Sequence, residues 1–360
     1  MRAPRRPLRL VLAAVLAALA FAAEVHGDAP RPLPGPAPRA RVAGFDPAAE
    51  NRACEACHED IAREWRGSLH HGAWDDPVFQ TAYAIEPIAF CRGCHAPEAD
   101  PAHVPGEGAR RLGVGCVTCH VEAGEITGVR GRAAGAVHAV RGDARLATQA
   151  ACEPCHQFEF PAPQRAPMQG TADEHRASRH AGESCQRCHM APVAGSNGKP
   201  HRSHDFRVLG DSEKLRSAVT ARAARDGDRA VTVSLSAARI GHAFPTGDMF
   251  RRLEVRARAV GEHGEDGEAA RPAVLARRFT MVHGPQSAAR MEIGDDRVPA
   301  SGEAREVRLS FGEAVTARAV RWEVAYQRLE PGMAVMFGVD PAADEVIVAR
   351  GVLPPEKARR

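Results

Sequence analysis

The pattern of apolar and polar positions changes character partway along the chain. From about Val219 it alternates. Val231-Thr232-Val233-Ser234-Leu235, Leu253-Glu254-Val255-Arg256-Ala257 and Val320-Arg321-Trp322-Glu323-Val324-Ala325-Tyr326 each place apolar side chains at every second residue. That is the period of a half-buried strand. Val307-Arg308-Leu309 is a shorter example, Val346-Ile347-Val348 is a β-branched run, and Glu265-Asp266-Gly267-Glu268 reads as a hairpin turn. Short strands with turns between them predict an antiparallel β-sandwich over residues 219–360. From Ala49 to Gly210 there is no sustained period and there are few large aliphatic residues. Such a stretch buries too little surface to fold by itself. The expected class is α+β: a mainly helical and loop domain over 49–215, then a sandwich-like domain.

The N-terminus has a third texture. Arg2, Arg5, Arg6 and Arg9 precede an apolar run from Leu10 to Ala23, and Ala20-Phe21-Ala22 offers a small-x-small cleavage site. This predicts a cleavable signal peptide over residues 1–23 and export to the periplasm or cell surface. The run is short for a membrane span, and no later segment is long and apolar enough to make one. Pro30, Pro32, Pro34, Pro36 and Pro38 make residues 24–48 a linker.

Composition then excludes one class of function. The chain has 360 residues and a formal charge of +3, but four arginines belong to the signal. From Ala49 to Gly210 there are 17 basic and 20 acidic residues. Only Lys199, Lys214 and Lys357 are lysines, so the Arg, Ala and Gly bias reads as genome base composition. A nucleic-acid surface is not expected.

All ten cysteines fall in one pattern. Cys-x-x-Cys-His occurs at Cys54, Cys57 and His58; at Cys91, Cys94 and His95; at Cys116, Cys119 and His120; at Cys152, Cys155 and His156; and at Cys185, Cys188 and His189. Two thiols three residues apart bond to one edge of a porphyrin, and the adjacent histidine lies beneath the iron, so the pattern is that of c-type haem attachment. A zinc reading would combine pairs into four-ligand sites, and five pairs do not divide by two. A disulfide framework has no use for a histidine after every second cysteine. Five covalently attached haems would supply the apolar bulk that residues 49–215 lack, and the chain without them should be unfolded there.

Five six-coordinate irons need five more ligands. Glu64-Trp65-Arg66-Gly67-Ser68-Leu69-His70-His71-Gly72 and Glu174-His175-Arg176-Ala177-Ser178-Arg179-His180-Ala181-Gly182 share the frame E-x-R-x-S-x-H-x-G. The repeat selects His70 over His71, and with it His180. His204 follows the fifth motif and His138 the third. His242, in Gly241-His242-Ala243-Phe244-Pro245-Thr246-Gly247, interrupts the β pattern, where it is either a ligand reaching from the sandwich or a solvated turn residue. His71, His103, His201, Met168 and Met190 are reserves.

With these residues in place, the chain resembles the multihaem c-type cytochromes. It is most similar to the branch containing the tetrahaem cytochrome partner of hydroxylamine oxidoreductase. The likeness rests on the five motifs, the W-x-x-S-x-H frame ending at His70, Gly115-Cys116-Val117-Thr118-Cys119-His120, Cys185 to Met190 followed by Arg202-Ser203-His204-Asp205-Phe206, and Gly-His-x-x-Pro-Thr-Gly at His242. It covers roughly residues 50 to 250. The resemblance implies low-potential bis-histidine haems, stacked in pairs and chains that conduct electrons. It also implies kinship with enzymes acting on nitrite, hydroxylamine and sulfite at a haem with no distal side chain. Pentahaem nitrite reductases usually carry Cys-x-x-Cys-Lys there, whereas Lys199 and Lys214 follow no cysteine pair.

The expected function is an exported pentahaem electron carrier with no catalytic residue. Its partners would be other cytochromes or a membrane quinol oxidase or reductase module. The alternative is an oxidoreductase with one open iron, acting on a small nitrogen or sulfur oxyanion or on hydroxylamine.

Overall fold

The computed structural model describes residues 44–356, apart from 101, 133–136, 162–165, 209–210, 262 and 284–287. The expected signal peptide, the linker as far as residue 43, and His26 lie outside the described residues. The class is α+β, with helices toward the N-terminus and antiparallel strands toward the C-terminus. All described residues belong to one compact unit.

Helix α1 (Pro47–Cys57) opens on Asp46, whose side chain accepts hydrogen bonds from the Ala48 and Ala49 amides at 2.9 and 3.2 Å, with a proline in the first turn. It is followed by α2 (Glu59–Arg66), α3 (Pro77–Ile85), α4 (Ala89–His95), α5 (Glu107–Leu112), α6 (Cys116–His120), α7 (Glu153–His156), α8 (Thr171–Arg176) and α9 (Cys185–His189). Between them run short strands: β1 (Val121–Glu122), β2 (Glu125–Gly128), β3 (Arg141–Gly142), β4 (Gln157–Glu159), β5 (Pro167–Gly170), β6 (Pro192–Ala194) and β7 (Pro200–Arg202). The apolar clusters here are small. One is Trp65, Leu112 and Val117; the other is Trp74, Phe79 and Ala96.

Helix α10 (Ser212–Ser217) crosses the expected boundary at 215, and its Leu215 packs into the core of the strands beyond. Those strands are β8 (Val219–Arg225), β9 (Ala230–Ala237), β10 (Arg252–Val260), β11 (Asp266–Ala269), β12 (Ala273–Leu275), β13 (Arg277–His283), β14 (Ala288–Asp295), β15 (Arg305–Ser310), β16 (Ala319–Gln327) and β17 (Glu345–Leu353), with α11 (Pro331–Met336) before the last. One sheet runs β15-β9-β8, a second runs β11-β10-β16-β17 with β12 also on β10, and β13 and β14 pair as a separate two-stranded sheet. The alternating positions of the first two sheets meet in one core. Val231, Val233 and Leu235 from β9, Leu253 and Val255 from β10, Leu309 from β15 and Val324 from β16 are all fully buried. The turn expected at 265–268 falls earlier. The Gly261 amide donates to the Glu265 carbonyl, Gly264 takes φ +86°, and Asp266–Ala269 is strand. The residue free to adopt a positive φ decides where the chain reverses.

The two regions are joined by buried arginines. Arg277 donates to the Pro167 and Met168 carbonyls at 2.5 and 3.2 Å. Arg297 pairs with Glu174 at 2.8 Å, and Arg328 pairs through both terminal nitrogens with Asp76.

Candidate haem-attachment centres

Each Cys-x-x-Cys-His sequence lies on or at the end of a short helix: α1, α4, α6, α7 and α9. A helix sets residues three apart on one face, so both sulfurs of a pair point the same way, with the histidine one step beyond. None of the ten cysteines is in a disulfide.

Four of the five motif histidines face a second histidine at nearly one spacing. Ring centres are 6.3 Å apart for His58 and His138, 6.3 Å for His70 and His156, 6.2 Å for His120 and His204, and 6.3 Å for His189 and His242. Two imidazole–metal bonds of about 2 Å, with roughly 1.1 Å from each nitrogen to its ring centre, span about the same distance. The ring planes are free to turn about that axis, and their angles range from 16° to 64°.

Protonation fits the same use. A ligand histidine commonly donates one ring N–H outward, which leaves the other nitrogen bare toward the metal. Here Nδ1 lies against a carbonyl oxygen in His120 (Thr127, 3.0 Å), His204 (Arg202, 2.8 Å), His242 (Ala243, 3.0 Å) and His95 (Ala73, 2.5 Å), and against the Gln169 amide oxygen in His156 (3.2 Å). Burial pushes the pKa of His70 down to about 3 and that of His189 to about 4, with the neighbouring histidines lowering both further. Burial also lowers His95, His156, His204 and His242. All are neutral imidazoles near pH 7. His156 and His189 nonetheless count as exposed by surface area. The donor set, spacing and protonation fit a planar metal cofactor.

His95 differs. Phe79 lies flat on its face, with ring centres 3.5 Å apart and planes within 5°. Among the described residues, no histidine ring stands opposite His95 at the 6.2–6.3 Å spacing.

The second copy of the repeat departs from expectation. His180 is not brought opposite a motif histidine. Its Nδ1 meets Glu183 at 3.1 Å, and its Nε2 accepts from Arg179 Nε at 3.3 Å. The first copy has Leu69 where the second has Arg179, and Arg179 is also tied to the Ala237 and Ala238 carbonyls at 3.3 and 2.8 Å. The arginine that fastens this segment to the strands also occupies the nitrogen a metal would need. Of the reserves, His71 packs on Trp65, His103 meets Asp100, and His201 meets Glu64. Met168 and Met190 are engaged through their carbonyls, by Arg277 and Arg202.

The motifs also neighbour one another. Cys54 lies near enough to Cys116 to act on its thiol, which burial pushes up to about 12. The neighbouring Cys185 side chain, with burial, raises the pKa of the Cys152 thiol, and Gln186 of the fifth motif donates to the Leu146 and Thr148 carbonyls just before the fourth at 3.1 and 2.8 Å. The first and third motifs are joined by Asn51 Oδ1, which accepts from the Cys116 amide at 2.7 Å, so the first lies against the third and the fourth against the fifth. The second reaches the fourth through Phe90 against Phe158, with ring centres 5.5 Å apart. Gly113, between the second and third motifs, has φ +55°. A Cβ there would stand 2.4 and 2.5 Å from the His71 and His70 carbonyl oxygens, so only glycine lets the third motif pack against the His70 segment.

Sequence reasoning missed Phe79 and the partners of Glu64 and Glu174. The shared E-x-R frame was the available signal for the two glutamates.

Residues 53–121 match the family of cytochrome c554 and c-prime. No curated protein matches the chain. Among solved structures, a penta-heme cytochrome c552 from Thermochromatium tepidum superposes with a TM-score of 0.68 at 23% identity, over 85% of this chain and 98% of that one. The chain therefore takes the fold of the multihaem c-type cytochromes and, at residues 53–121, carries the signature of the cytochrome c554 family.

Proposed function

We propose that the chain is an exported pentahaem electron carrier, with each Cys-x-x-Cys pair bonding one haem and its histidine serving as proximal ligand. The carrying observation is the near-constant 6.2–6.3 Å spacing of four histidine pairs. On this reading His138, His70, His204 and His242 are the distal ligands for the first, fourth, third and fifth motifs. Haem iron supplies reversible one-electron storage at such sites, tuned by ligand and burial. The protein's part is to hold imidazoles on both sides and keep neighbouring motifs in contact so that electrons hop between them. Residues 1–23 direct the chain to the periplasm or cell surface. Its partners are other cytochromes or a quinol-linked membrane module.

A second reading is favoured by one observation: Phe79 packs on the face of His95, and no described histidine stands opposite that ring. The second motif would then hold an open iron, and small nitrogen or sulfur oxyanions or hydroxylamine are candidate substrates. One experiment separates the two. A pyridine haemochrome assay fixes the haem count, expected to be five. The dithionite-reduced spectrum is then taken before and after adding carbon monoxide. No change supports pure electron transfer, and a shift of about one haem in five supports the open site. Conversion of most haems would overturn the bis-histidine assignment.

A further inference from the structure

The two copies of E-x-R-x-S-x-H make the same contacts in two places. In the first, Arg66 pairs with Glu55; in the second, Arg176 pairs with Glu153. Glu55 and Glu153 each follow the first cysteine of the motif that precedes their copy. The frame's glutamate reaches in the other direction. Glu64 Oε2 accepts from the His204 backbone amide at 2.7 Å. Glu174 Oε2 accepts from the Ala243 amide, next to His242, at 3.2 Å and from the Thr246 hydroxyl at 2.6 Å. The second oxygen of each carboxylate is also engaged, Glu64 by His201 Nε2 at 3.1 Å and Glu174 by Arg297 at 2.8 Å.

Each copy is therefore a clamp. Its arginine grips its own motif, while its glutamate grips the main chain at a histidine that faces a different motif. His204 faces His120, and His242 faces His189. His242 sits in a loop between strands, where nothing in the strand register sets its side-chain direction. Glu174 and Arg297 are 15% and 6% exposed, so the anchor is held in low dielectric, where a charge-assisted hydrogen bond is strong and directional. Gly241 adds a steric limit, since a Cβ there would meet His175 and His180 at 3.1 Å.

We propose that Glu64 and Glu174 are equivalent positioning residues that set the orientation of the His204 and His242 rings, the second acting across to the strands through Arg297. The inference rests on the reading that these two histidines face haem iron, and the test separates the two ideas.

The full-length haem-loaded protein is used throughout. Haem content comes from pyridine haemochrome, and spin state and g-values come from ferric electron paramagnetic resonance. His242→Ala is made first. It should turn one haem in five high-spin and carbon monoxide-reactive; if all haems stay low-spin, the ligand reading fails. Given that result, Glu174→Ala should shift the g-values of one haem and give partial carbon monoxide reactivity, below that of His242→Ala. Glu174→Gln keeps an acceptor for the Ala243 amide but loses the Arg297 pairing, and should move the same g-values less. Glu64→Ala should move a different haem. Full haem content with an unchanged resonance envelope in Glu174→Ala overturns the inference. If that variant loses haem, Glu174→Gln decides in the same way: shifted g-values support the inference and unchanged ones overturn it.

Discussion

The strand-rich region beyond residue 211 and the motif-bearing region before it are held together on different terms. In the first, strands from two sheets interleave apolar side chains into one continuous core, and residues such as Leu235, Leu253 and Val324 are fully sealed from water. In the second, the buried apolar clusters among the described residues are two, each with only three buried members. A domain-sized stretch with so little apolar burial cannot offset the entropy of ordering its backbone. Its ordering information lies elsewhere: in the paired cysteines, in histidines facing one another, and in arginines lent by the strand-rich region. One region encodes its core. The other encodes the walls of sites that its cofactors fill.

The largest test of that contrast replaces all ten cysteines with serine. Circular dichroism should then lose helical signal while strand signal persists. Limited proteolysis should leave a resistant fragment beginning near residue 211. If the whole chain is digested, or the helices survive, the contrast fails. A smaller effect comes from inside the strand core. Leu253→Ala should cost about 2–5 kcal/mol of stability in urea titration of the strand signal, because a fully buried leucine leaves a cavity.

Next is the joint between the regions. Asp76→Ala strands the Arg328 guanidinium, which is 19% exposed in its pair with Asp76, and should cost about 3 kcal/mol. The same pair has a pH signature. Burial alone would raise the Asp76 carboxyl, but its hydrogen bonds and charge contact with Arg328, together with the Phe79 amide, outweigh burial and leave the pKa low. Because the folded value is the lower one, this contribution is complete above about pH 4 and is lost as pH falls through the folded value. The Asp76→Ala chain should lack that part of the acid transition. The smallest expected effect is at Glu107, whose pair with Arg111 is exposed on both sides. Glu107→Ala should leave the thermal midpoint unchanged, and a clear drop would mean that surface pairs matter more in the core-poor region than elsewhere.

Much of this was legible in the chain, and the rest was illegible for physical reasons. Strand positions follow from alternation, which is local, so Val231 to Leu235 and Val320 to Tyr326 fall where their pattern puts them. That the motifs themselves sit on short helices is seen only in the structure. Which histidine faces which motif is set by tertiary packing, and no local pattern says that His70 stands opposite His156 rather than His58. The repeat does not bring His180 opposite a motif histidine as it brings His70, and Arg179, which stands where the first copy has Leu69, donates to the His180 ring. Phe79 and Arg328 were invisible for a similar reason: Phe79 stacks on His95 and Arg328 pairs with Asp76, each from a segment with no motif of its own.

His242 belongs to a loop of the strand-rich region, yet its ring stands 6.3 Å from that of His189. On the ligand reading, this gives a region without a Cys-x-x-Cys-His motif an optical gauge of its own integrity. Any strain, ligand or partner that pries the strands away would change the visible spectrum of one haem in five before the others respond. The docking of the two regions could thus be followed by colour alone, in crude extract or in whole cells.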